Sequence, residues 1–143
     1  MGNCYNTSVI NAPINQVWAA VSDFHNLGFA SGVITSVEKI GDTPGTAPGA
    51  KRVLNEAFHE TLQSFDADHH SFSYSIDDGP EPVAQGSVKN YLGTVRLLPI
   101  TDNNTTFIEW ASSYESENDS AIGDFCNPIY RALLDALKNH FAG

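Results

Sequence analysis

The segment from Gly49 to Pro99 constrains the fold of this chain more than any other. It runs from GAKR through ETLQSFD and FSYSID to a Gly-Pro-x-Pro turn and a long stretch, KNYLGTVRLLP. Apolar and polar residues alternate along these stretches, the period of a strand that buries one face. Between strands stand turn-formers. Asp66-Ala67-Asp68-His69 and Asp102-Asn103-Asn104 carry short side chains that bond their own backbone and tolerate left-handed conformations. Strands linked so briefly pair antiparallel, and alternate residues then line one concave face. The polar residues expected there, Arg52, Glu60 and Tyr91, are few and separated by apolar ones. Such a lining suits a small, mostly hydrophobic molecule.

The flanks complete the pattern. Asn3 to Asn11 has strand composition, and Pro13 opens a short helix over 13 to about 23, with Val17, Trp18, Val21 and Phe24 at helical spacing. A second helical turn and a loop are expected from Asp23 to Gly32, a strand from Val33 to Ile40, and a loop through GDTPGTAPG. Further strands are expected at Ala50 to Asn55, Glu56 to Phe65, Ser71 to Ile76, Gln85 to Leu98 and Thr105 to Ser116. From Asp119 to Phe141, Phe125, Ile129, Leu133, Leu137 and Phe141 recur in steps of four, the mark of a long amphipathic helix. Pro128 interrupts it at a cost of about 3 kcal/mol, so either the helix kinks there or Asn127 caps a helix beginning at Pro128. The longer, kinked helix is preferred. The expected whole is a single α+β domain over residues 1–143, its sheet gripping the last helix around a pocket of roughly a few hundred Å3.

Charge and motif content narrow the partners. Seventeen acidic residues against seven Lys plus Arg give a formal charge of -10, which repels phosphate backbones and anionic lipid surfaces. Nucleic acid is therefore not expected. Cys4 and Cys126 form no CxxC pair and are expected as reduced thiols. No apolar run approaches the roughly 20 residues of a membrane span, and no signal-peptide pattern opens the chain. The MGNC start lacks the Ser or Thr of a myristoylation site, having Asn6 instead. A cytoplasmic monomer or homodimer without membrane insertion is the expectation. His59 and Glu60 point to opposite strand faces, HExxH fails at Gln63, and His69-His70 fall in a turn, so no metal is expected. No GxSxG is present, and Cys4 has no evident histidine partner.

The order of elements, with APINQVWAAVSDF, GAKR, E-T-L, SFSYSI, KNYLGTVRLLP and FIEW, resembles the START-like superfamily, also called SRPBCC or helix-grip, near its polyketide cyclase/dehydrase-like branch. The resemblance covers nearly the whole chain. It implies a curved seven-stranded antiparallel sheet around the C-terminal helix, with two short helices after the first strand. ETLQSFDADHHSFSYSIDDG followed by VKNYLGTVRLLP is also similar to the plant abscisic acid receptors of the same superfamily. That likeness implies a cavity lined by Arg52, Leu54, Glu60, Leu62, Tyr74, Ile76, Tyr91, Gly93 and Glu109, with Phe125, Ile129 and Leu133 from the last helix. Three departures stand against hormone recognition. Too few residues separate Arg52 from Glu60 for the receptors' gate loop, Pro80-Glu81-Pro82 replaces their His-Arg-Leu latch, and no lysine stands on the equivalent early strand to hold a carboxylate.

Two functions are compatible with this reading. One is a carrier or sensor of a small hydrophobic or aromatic compound, lipid- or polyketide-like, needing no cofactor. The other is a cofactor-free polyketide cyclase or dehydratase in which Glu60 and Glu109 supply acid/base chemistry and Tyr91 polarises a substrate oxygen. One strand is ambiguous: periodicity turns Ile108, Trp110, Ser112 and Tyr114 inward, whereas the family likeness turns Glu109 inward. The expectation follows the likeness.

Overall fold

A computed structural model describes residues 1–142. The chain forms β1 (Gly2–Ile10), α1 (Ile14–Val21), one turn of 3₁₀ helix (Gly28–Ala30), β2 (Val37–Ile40), β3 (Lys51–Leu54), β4 (Phe58–Asp66), β5 (Ser71–Asp78), β6 (Lys89–Ile100), β7 (Thr105–Glu115) and α2 (Asp119–His140). All seven strands join one curved antiparallel sheet in the order β1-β7-β6-β5-β4-β3-β2. The α+β helix-grip architecture is as expected. The second of the two short helices is only the 3₁₀ turn.

Strands β4 to β7 form where alternation is strongest, since each buries one face and the turn residues fix its ends. The strand expected over Val33 to Ile40 is shorter, beginning at Val37. Asn55 holds the preceding segment away from the sheet. Its Oδ1 accepts the Thr35 N–H at 2.7 Å, and its Nδ2 donates to the Val33 carbonyl at 3.1 Å. Asn55 and Glu56 have φ of 54° and 57° and lie in the three-residue connection between the paired Leu54 and Phe58, which the Ala57 N–H closes on the Leu54 carbonyl at 3.0 Å. One asparagine thus shapes the β3–β4 turn and ties the Val33–Ser36 segment to it.

Helix α2 runs unbroken through Pro128 and is capped by Asn118, whose side chain accepts the Ala121 N–H. Its buried residues are Ile122, Cys126, Tyr130, Leu133, Leu134 and Leu137. This face is rotated from the stripe read in steps of four. At 3.6 residues per turn, each such step advances about 40° around the axis, so the line from Phe125 to Phe141 spirals off the buried side. Helix α2 packs across β1, where Asn6 donates to Asn127 Oδ1 at 2.8 Å. Among the described residues no helix is long and apolar enough to cross a membrane.

Candidate functional site

Arg52 and Glu60 stand opposite one another on β3 and β4, both turned toward α2. Arg52 Nε and Nη2 donate to Glu60 Oε1 at 2.8 and 2.6 Å, and Nη1 donates to the Phe24 carbonyl at 2.9 Å. The guanidinium lies 3.8 Å from the centroid of the Phe24 ring. The pair is only 4% and 6% exposed. Burial of a charge is costly unless it is matched, and here each guanidinium nitrogen has an acceptor while an aromatic face covers the cation. Burial raises the Glu60 pKa, against the opposing pull of Arg52. Both hydrogen bonds end on Oε1, which leaves Oε2 without a protein partner.

Behind the ion pair runs a chain of hydroxyls. Trp110 Nε1 donates to the Tyr74 hydroxyl at 2.9 Å, Tyr74 donates to Tyr130 at 3.4 Å, and the hydroxyls of Tyr130 and Tyr91 are hydrogen-bonded to each other. The rings pack as well as bond, with Trp110 stacked on Tyr130 at 5.7 Å. Each of these buried aromatics satisfies its polar end internally, as such groups must. Burial pushes the Tyr74, Tyr91 and Tyr130 phenols above the usual tyrosine range. It also pushes the neighbouring Cys126 thiol up to about 11. Cys4 and Cys126 are both buried and unbridged.

The ion pair and the tyrosines line a pocket between the sheet and α2. It encloses about 450 Å3 of space between atoms, mouth included, of which about 40 Å3 admits the centre of a water-sized sphere. That is smaller than the few hundred Å3 expected from the sequence. The difference has a cause: Trp110, Tyr74, Tyr91 and Tyr130 all turn into the space that shorter side chains would leave open.

Of the residues expected to line it, Arg52, Leu54, Glu60, Tyr74, Ile76, Tyr91, Ile129 and Leu133 do so. Leu62 is buried in the core but outside the wall. Gly93 lies beneath the Tyr74 ring, where a Cβ would sit 2.3 Å from Cζ. Phe125 is at the rim, its ring 6.1 Å from that of Phe58. Leu27, Ile34, Phe58, Cys126 and Tyr130 are lining residues that the sequence reading did not name, and Trp110, which periodicity alone turns inward, lines it too.

Glu109 must be corrected. It lies on the outer face of β7, bonded at 2.6 Å by Arg96 Nε and also by the Tyr5 hydroxyl. The Tyr5 hydrogen bond and the nearby Arg96 hold its carboxyl below the usual range. Strand alternation decides the matter, because Ile108, Trp110, Ser112 and Tyr114 are all buried on the inner face. Glu60 and Tyr91 share the pocket wall, but the second carboxylate of the expected acid/base set is on the other side of the sheet.

This geometry can be compared with known proteins. Residues 1–142 match the family model described as polyketide cyclase / dehydrase and lipid transport. The chain belongs to that family. Among solved structures, a protein from Nitrosospira multiformis is 38% identical with a TM-score of 0.95, over 99% of this chain and 97% of that one. XoxI from Bacillus cereus is 25% identical with a TM-score of 0.79, over 99% and 96% of the two chains. A Bacillus thuringiensis protein at 24% identity and a TM-score of 0.81, covering 99% of this chain and all of its own, shares the fold. No curated protein matches the chain in sequence. For this member of the polyketide cyclase / dehydrase and lipid transport family, the pocket between sheet and α2 is the candidate site.

Proposed function

We propose that the chain binds a small hydrophobic or aromatic molecule in the pocket between the sheet and α2, as a carrier or sensor. The observation that carries this reading is the pocket wall: apolar and aromatic side chains surround a single buried ion pair, the pattern of sites that bury a ligand and orient it with a few polar groups. Family membership supports the same class of ligand. A wall already filled by four aromatic rings has little free volume, so a ligand larger than a few waters displaces side chains at the rim. Phe58, Ile76 and Ile129 are the partly exposed lining residues there.

The test is a thermal-shift screen of lipids, flavonoids and aromatic polyketides, with native mass spectrometry of the purified protein. Saturable stabilisation by one of these classes is expected. Binding of nucleotides or metal ions with no response to apolar compounds contradicts the proposal.

A further inference from the structure

The polar groups of the pocket wall specify the charge of what it takes. Arg52 and Glu60 are the only charged side chains in the wall, and they neutralise each other through two hydrogen bonds to one oxygen. The third guanidinium nitrogen is engaged by the Phe24 carbonyl. The Trp110 N–H is taken by Tyr74, and the phenols of Tyr74, Tyr91 and Tyr130 are bonded among themselves. What remains without a partner is one charged acceptor, Glu60 Oε2, beside the uncharged Cys126 thiol and one phenol O–H, since three hydroxyls share two mutual bonds. An anionic ligand would meet a cation already matched and a carboxylate that repels it. A cationic ligand would leave the wall with one positive charge too many, and burying an uncompensated charge is costly on either sign.

We propose that the pocket selects uncharged, hydroxyl-bearing compounds of about one aromatic ring, with the hydroxyl donating to Glu60 Oε2, and discriminates against carboxylates. The roughly 40 Å3 of open space holds only a few waters, so a single ring is the aromatic ligand that enters with the least displacement of the rim residues Phe58, Ile76 and Ile129. The inference rests on the reading of the pocket as a ligand site. Glu60 then acts as a specificity determinant, because it cancels the charge that would otherwise make Arg52 an anion receptor.

Isothermal titration near neutral pH with p-cresol, p-toluate and p-methylbenzylamine tests this with ligands of nearly one shape. At that pH the phenol is neutral, the carboxylate anionic and the amine cationic. The expected result is that p-cresol binds at least about tenfold more tightly than either charged probe, a difference of about 1.4 kcal/mol. Equal or tighter binding of p-toluate or of the amine overturns the inference while leaving the pocket a ligand site. Binding of none of the three, when larger apolar compounds do bind, overturns the inference as to size. Binding of no compound at all removes the pocket reading itself. In Glu60→Gln, which uncovers the Arg52 charge, p-toluate should gain about tenfold or more. A folded variant without that gain shows that Glu60 does not set the preference, and if the variant does not fold, the wild-type comparison decides alone.

Discussion

Gly93→Ala is the substitution whose cost the structure defines most closely. Gly93 faces Tyr74 across the β5–β6 pair, and the Tyr74 ring lies over it. A Cβ at Gly93 would stand 2.3 Å from Tyr74 Cζ and 2.6 Å from its hydroxyl oxygen. A surface tyrosine would swing aside. Tyr74 is 2% exposed and fixed by Trp110 and Tyr130, so relief requires parting the strands or breaking its two hydrogen bonds. Overpacking of this kind costs about 1–3 kcal/mol, and each lost hydrogen bond adds roughly 0.5–1.5 kcal/mol. The expected loss is about 2–6 kcal/mol. At roughly 2–4 °C per kcal/mol for chains near this size, Tm falls by about 4–24 °C. Thermal unfolding followed by circular dichroism measures it. Tyr74→Leu lacks the clashing ring atoms, so in that background Gly93→Ala should cost less than about 1 kcal/mol, since alanine is otherwise preferred to glycine within a strand. An unchanged Tm for the single variant, or the same loss in both backgrounds, refutes the reasoning.

The other predictions concern protons, the β3–β4 turn and Glu109. Tyr74, Tyr91 and Tyr130 keep their protons above the ordinary value of 10.0; the folded state therefore holds more protons than the unfolded one beyond that pH, and stability falls by about 1.4 kcal/mol per pH unit for each of them. Absorbance titration should show these phenols ionising only as the protein unfolds, and a reversible tyrosinate signal from all of them in the folded protein contradicts their burial. Asn55→Ala removes the bonds to Val33 and Thr35 and leaves alanine at φ 54°, so urea unfolding should report a loss of roughly 2–4 kcal/mol, with Asn55→Gly losing less. Glu109→Gln should leave ligand affinity within about twofold of wild type, because its partners Arg96 and Tyr5 are on the outer face; a larger change, beyond the roughly 0.5 kcal/mol typical of distant surface substitutions, argues for a link to the pocket.

How legible the molecule is in its sequence varies by element. Strands β4 to β7 declare themselves through period two and turn residues, and the same alternation puts Arg52 and Glu60 on one face. Periodicity also placed Trp110 inward. It was overridden by a family likeness that does not hold at Glu109, and the local signal was the better guide. Tyr130 and Cys126 escape notice for a different reason, since a stripe drawn in steps of four keeps Leu133 and Leu137 but drifts along the edge of the buried face and passes over residues that are not strongly apolar. Leu27 and Ile34 come from segments without regular strand or helix pairing, so no period marks them. Pocket volume is the least legible quantity, because it depends on four aromatic rings turning inward together, a property of packing rather than of spacing.

The most direct test of the pocket uses the chain's two tryptophans. Trp110 lines the pocket with its indole N–H bonded to Tyr74, whereas Trp18 packs against Phe65, His70 and Phe72 outside its wall. In a nitrogen-15 correlation spectrum each indole gives its own N–H resonance. Titration with a small aromatic compound should shift the Trp110 resonance saturably and leave that of Trp18 in place. A saturable shift at Trp18 alone, or none at Trp110 across apolar, aromatic and phenolic compounds, contradicts the account.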